Sequence, residues 1–89
     1  MNVYIVDDMK QNRIILKKFL GAIEDITVEE FGDGIEVVNR MRIGNKKDRY
    51  LIFMDIDMPI MNGVDATKNI IKMGYKYVSI VAVSAFNSE

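Results

Sequence analysis

YLIFMDIDMPIMNG, residues 50–63, decides how this chain is read. Leu51, Ile52, Phe53 and Met54 run straight into Asp55; Asp57 follows two positions on, and Pro59, Asn62 and Gly63 close the stretch. A short continuous apolar run has the character of a strand covered on both faces. Taking an ionised carboxylate out of water is costly unless it is paired or holds a metal. An acid at the tip of such a strand is therefore a candidate functional group, and a purely structural role is the weaker reading of Asp55.

Outward from this strand the chain alternates. Apolar, β-branched runs stand at VYIV (3–6), ITVEEF (26–31), YLIFM (50–54) and VSIVAV (78–83). Helical stretches separate them. The first, about 9–21, places Ile15, Leu16, Phe19, Leu20 and Ile23 on one face with Lys10, Lys17 and Lys18 opposite. The second, about 34–43, aligns Ile35, Val38 and Met41; the third, about 64–73, aligns Ala66, Ile70 and Met73. Gly74 stands where a C-terminal capping glycine belongs, and Gly21 and Gly44 sit near the other two helix ends.

This β-α-β-α-β-α-β order predicts an α/β fold: an open parallel sheet with right-handed crossovers and flanking helices. VYIV and YLIFM should be central. ITVEEF carries Glu29 and Glu30 and should be an edge, so the expected strand order is 2-1-3-4. VSIVAV then lies at the other edge although it is as apolar as a central strand. An apolar edge is a template for pairing. The expectation is that something covers it: further chain beyond residue 89, or a second copy completing the sheet as a homodimer.

Composition narrows the chemistry. With 89 residues the chain is read as one domain, 1–89, that buries about 60–65% of its unfolded surface. Net charge is −1, so bulk electrostatics suggests neither a nucleic-acid nor a membrane-surface partner. There is no cysteine and no histidine, which removes disulfides, thiolate chemistry, the usual general base and the usual zinc ligands. No apolar run approaches a membrane span and no signal peptide precedes the first strand, so a cytoplasmic protein is expected. The seven methionines read as core filler.

In an open α/β sheet, ligands bind beyond the carboxyl ends of the strands where the strand order reverses. Here that crevice lies between the first and third strands, which end in Asp7-Asp8 and Asp55. Three carboxylates on adjacent strands about 4.8 Å apart repel one another without a cation. An all-oxygen donor set favours Mg²⁺ or a similar hard ion, and a carboxylate beside it can act as a nucleophile. Plainer roles compete. Asp8 and Gln11 form a capping box for the first helix; Asp57 reads as a solvated loop residue; Pro59 and Gly63 shape a turn. Ser84 caps a following helix or faces the same crevice.

Taken in order, VYIVDD, FMDIDMPIMNG and IVAVSA resemble the receiver domain of two-component response regulators. VDDMKQNRIILKKFL and FGDGIEVV are especially similar to receivers fused to hybrid histidine kinases. The resemblance implies a flavodoxin-like, CheY-like fold and Mg²⁺-dependent acceptance of a phosphoryl group from phosphohistidine, supplied by a histidine kinase or a histidine phosphotransfer protein. It makes Asp55 the phosphoacceptor and Asp8 the direct metal ligand. Asp7 acts mainly through water, and the Asp57 carbonyl completes the metal shell. Ser84 hydrogen-bonds the phosphoryl group, with small Ala85 leaving it room. Such receivers also have a fifth strand bearing a lysine and two further helices. None of these is assignable before SAFNSE, so the domain is expected to be incomplete at its C-terminus. Two other functions compete with this one: a binding module that works without phosphorylation, and a fragment of a haloacid-dehalogenase-like phosphatase, whose apolar-strand-DxD signature LIFMDIDMP shares.

Overall fold

The computed structural model describes residues 1–84; Ala85, assigned above to make room at the phosphoryl site, lies outside the described residues. The elements are β1 (Asn2–Val6), α1 (Lys10–Leu20), β2 (Thr27–Phe31), α2 (Gly34–Arg42), β3 (Arg49–Asp55), α3 (Gly63–Ile71) and β4 (Tyr77–Val83). All pairings are parallel and the order is β2-β1-β3-β4, as the strand composition predicts. The glutamates of β2 are accommodated because it is an edge. Glu30 pairs with Arg13 at 3.2 Å and Lys17 at 3.3 Å, and Glu29 with Arg40 at 3.3 Å.

Strand alternation gives the sheet two faces. On one, Tyr4, Val6, Ile52 and Met54 pack against Val37, Val38 and Met41 of α2 and Ala66 and Ile70 of α3. Tyr4 anchors an aromatic row there, edge-on to Phe31 at 5.0 Å and to Tyr50 at 5.6 Å, with Tyr75 continuing it 5.0 Å beyond Tyr50. The Tyr75 hydroxyl donates to the carbonyl of Met41. The Tyr4 hydroxyl is buried without a partner among the described residues, and burial, with the nearby Glu29 charge adding to it, pushes its pKa up to about 12.

The other face is thinner: Val3, Ile5 and Leu20, with Leu16, Ile26, Val28, Leu51 and Phe53 against them. This corrects the reading of α1. Leu16 and Leu20 reach the sheet, but Ile15, Phe19 and Ile23 of the expected core face are 55%, 75% and 53% exposed. The helix lies over β1, and among the described residues nothing covers the sheet beside it. Ile15, Leu16 and Phe19 on one side and Phe53, Val81 and Val83 on the other therefore wall an open groove of about 510 Å³. In α2 a smaller correction applies: Val37 takes the place in the core expected of Ile35, which is 39% exposed.

Helix ends follow local chemistry. Asp33 and Asn62 cap α2 and α3 by accepting from Glu36 N–H and Asp65 N–H, each at 2.9 Å. The cap of α3 is Lys72 rather than the expected Gly74, which lies two residues further on and turns the chain at φ +81°.

Candidate functional site

The carboxyl ends of β1 and β3 bring Asp7, Asp8 and Asp55 together, each with an oxygen within 4.8 Å of the others. Asp7 and Asp55 are buried, and Asp8 is exposed at the mouth. The arrangement is strand-borne. β1 and β3 are paired in register up to Val6 and Met54, so the next residue of each emerges at the same level.

Asp7 is held from the α1 side. Its Oδ1 accepts from Met9 N–H at 2.9 Å and its Oδ2 from Asn12 Nδ2 at 3.2 Å, while Arg13 Nη1 donates to its carbonyl at 2.6 Å. The capping box read at Asp8 is thereby corrected. The residue before α1 is Met9, which makes no side-chain cap, and the acid that meets the start of the helix is Asp7. Asp8 is left turned to the cluster. Asn12 and Arg13 were not foreseen, because nothing in their spacing from Asp7 distinguishes them from ordinary polar helix positions.

Asp55 is fixed from the loop side. Asp57 N–H donates to its Oδ1 at 3.1 Å, and the Asp57 side chain itself is exposed, as the sequence suggests. Burial raises the Asp55 pKa above the ordinary carboxylate value; the Asp57 hydrogen bond opposes this, and the charges of Asp7 and Asp8 add to it. Among the described residues the ion pairs all lie along β2, so none neutralises this cluster.

Two residues set the loop that follows. Gly63, the first residue of α3, donates its N–H to the Ile56 carbonyl at 3.0 Å, and a Cβ there would collide with the Asp55 carbonyl. The glycine is therefore required for close approach rather than only for a turn. Ile60, after Pro59, has φ +71°, a left-handed conformation that β-branched residues rarely adopt. Ser84 leaves the end of β4, exposed, and shares the wall of the α1–β4 groove with Asp7 and Asn12. Its nearest strand neighbour, Val83, pairs with Asp55.

A family model described as the response regulator receiver domain matches residues 3–89. The chain belongs to this family. Among its relatives, the protein-glutamate methylesterase/protein-glutamine glutaminase of Methanococcus maripaludis is 38% identical over 90 residues, covering 100% of this chain and 23% of the relative. The Thermotoga maritima response regulator TrrA, solved in complex with Mg²⁺ and BeF, superposes with a TM-score of 0.80 at 27% identity, covering 96% of this chain and 70% of that one. The receiver domain of Saccharomyces cerevisiae Ssk1, co-crystallised with the histidine phosphotransfer protein Ypd1, superposes equally well at 33% identity over 99% of this chain and 66% of that one. The chain thus spans about a quarter of the methylesterase and about two thirds of these solved receivers. As a receiver it is a phosphoacceptor module of two-component signalling and not an enzyme in its own right; where relatives are enzymes, other domains carry that activity. Among the described residues no helix is long and apolar enough to cross a membrane.

Proposed function

We propose that Asp55 is the residue of this receiver that takes the phosphoryl group, and that the chain acts as one cytoplasmic domain. The observation that carries the reading is a buried carboxylate at the tip of a central strand, with two more carboxylates within 4.8 Å and, among the described residues, no cation paired to any of them.

The donor set fits a hard divalent ion. It is all oxygen, it is fixed by strands, and its mutual repulsion is the kind that a cation relieves. Asp8 and Asp55 would hold Mg²⁺ directly, Asp7 through water and Asp57 through its backbone carbonyl. When bound, Mg²⁺ offsets the carboxylate charge and withdraws electron density from the phosphoryl oxygens.

The chain's own residues do the rest. Asp57 N–H occupies Oδ1 of Asp55, which leaves Oδ2 to attack phosphorus. The P–O bond forms as the P–N bond of the donor phosphohistidine breaks; the electron pair returns to the imidazole nitrogen, which takes a proton from solvent. Ser84 donates a hydrogen bond to the transferred phosphoryl group. Asn12 and Arg13 keep Asp7 in place while charge builds beside it. The donor is a histidine kinase or a histidine phosphotransfer protein, in keeping with the partner of the Ssk1 receiver.

Intact-mass spectrometry after incubation with a small-molecule phosphodonor tests this. A single Mg²⁺-dependent phosphoryl adduct in wild type, absent in Asp55→Asn, is the expected result. A folded wild-type chain that gains no adduct, or an adduct retained by Asp55→Asn, overturns it.

A further inference from the structure

Of the clustered carboxylates Asp7 is the most constrained. Its Oδ1 accepts from Met9 N–H at 2.9 Å and its Oδ2 from Asn12 Nδ2 at 3.2 Å, so the chain itself occupies both oxygens. Asp55 gives up only Oδ1, to Asp57 N–H at 3.1 Å. Among the described residues no donor is bonded to the Asp8 carboxylate, which is exposed at the mouth.

The Asn12 bond is not needed to tie helix to strand. Arg13 already does that: its Nη1 donates to the Asp7 carbonyl at 2.6 Å, and its Nε donates to Glu30 Oε1 at 3.2 Å. Nor does helix formation ask for asparagine there. Position 12 lies in the first turn of α1, where asparagine is a poorer helix former than alanine. As a cap it would accept from the backbone, yet here its amide donates out of the helix to a carboxylate whose residue is only 8% exposed. A neutral donor leaves the charge of Asp7 in the cluster and fixes where that charge points.

We propose that Asn12 is a positioning residue that sets which divalent ion the cleft prefers, by keeping Asp7 from binding the ion directly. The proposal rests on the metal site of the phosphoacceptor reading. With Asp7 held, the cleft offers an incoming ion the carboxylates of Asp8 and Asp55 together with the Asp57 carbonyl. Asp7 then adds its charge at one remove, through water. Such a set suits Mg²⁺, which demands near-octahedral geometry, keeps several waters and is satisfied by one or two carboxylates. Ca²⁺ takes about six to eight oxygens in a looser shell, so a further direct carboxylate helps it more. Releasing Oδ2 of Asp7 supplies that ligand. Asn12 thus disfavours the larger ion through a hydrogen bond to a neighbouring acid, without touching the ion itself.

Amide NMR shifts of the whole chain, titrated with MgCl₂ or with CaCl₂ and no phosphodonor, give both affinities. Wild type should prefer Mg²⁺. Asn12→Leu, which keeps the bulk of the side chain, and Asn12→Ala, which favours the helix, should each move the Mg²⁺-to-Ca²⁺ affinity ratio toward Ca²⁺ about tenfold. In an Asp7→Ala background the Asn12→Ala change should leave the ratio where it stands, because the oxygen it would free is gone. A purely structural role for Asn12 would lower both affinities together and spare the ratio. A wild type that prefers Ca²⁺, or that binds neither ion, overturns the proposal. So does a ratio unmoved in either variant that keeps its folded circular dichroism spectrum, or a ratio moved equally with and without Asp7. A chain with this ion preference that gains no phosphoryl adduct defeats only the phosphoacceptor reading. One that gains the adduct while its preference ignores Asn12 defeats only this one.

Discussion

Replacing Asp55 by Asn should stabilise the metal-free protein while removing its response to Mg²⁺. At 4.8 Å, the outer limit of the separation between these carboxylate oxygens, two unit charges in a medium of effective dielectric about 20 repel by about 3.5 kcal/mol. Each carboxylate spreads its charge over two oxygens, and Asp8 is exposed, so about 1–3 kcal/mol of relief is expected. Asn keeps the oxygen that accepts from Asp57 N–H, so the loop hydrogen bond survives the change. For a domain of this size 1 kcal/mol is about 4–8 °C in Tm, which puts the rise at about 5–20 °C. The assay is thermal unfolding by circular dichroism in EDTA at neutral pH, repeated with saturating Mg²⁺. At about 100-fold excess over Kd the ion should return about 2.7 kcal/mol to wild type and little to the variant, closing the gap. The pH dependence has a fixed sign. The folded pKa of Asp55 is raised, so its contribution is fully favourable below the unfolded value and is lost as pH rises through the folded one. In EDTA the advantage of Asp55→Asn should therefore shrink as pH is lowered through the carboxylate range. A variant that melts at or below wild type in EDTA at neutral pH would refute the claim that Asp55 sits in an unrelieved acidic cluster.

Other changes probe the scaffold. Gly63→Ala forces a Cβ into the Asp55 carbonyl and should cost about 2–4 kcal/mol in urea unfolding, with Mg²⁺ affinity weakened as well. Ile60→Gly removes a β-branched residue from φ +71° and should raise stability by about 1 kcal/mol, read as a higher urea midpoint at unchanged slope. Tyr4→Phe deletes a buried hydroxyl that has no partner among the described residues and should be neutral or stabilising by about 1 kcal/mol at neutral pH. The folded pKa of Tyr4 is raised to about 12 from 10.0. The contribution of this group is thus intact below the unfolded value and lost as pH climbs through the folded one, so alkaline unfolding should be shallower in Tyr4→Phe.

The order of elements, the edge position of β2 and the meeting of Asp7, Asp8 and Asp55 were legible in the linear chain. They rest on period, on strand composition and on the rule that parallel strands deliver their carboxyl ends to one crevice, all local or topological facts. What needed the tertiary structure depends on which surfaces meet. Helical spacing placed Ile15, Phe19 and Ile23 on one apolar face, but only the position of α1 over β1 shows that all three stay exposed, Ile15 and Phe19 in the groove beside β4. The acids of the Asp7-Asp8 pair have the same chemistry, yet the hydrogen bonds from Met9, Asn12 and Arg13 separate the held residue from the free one. Gly63 reads as a turn residue until the Asp55 carbonyl is found where its Cβ would be. Sequence alone determined which groups this protein has and in what order the strands present them. Tertiary structure decided which are held and which are exposed, because burial and contact belong to pairs of distant residues.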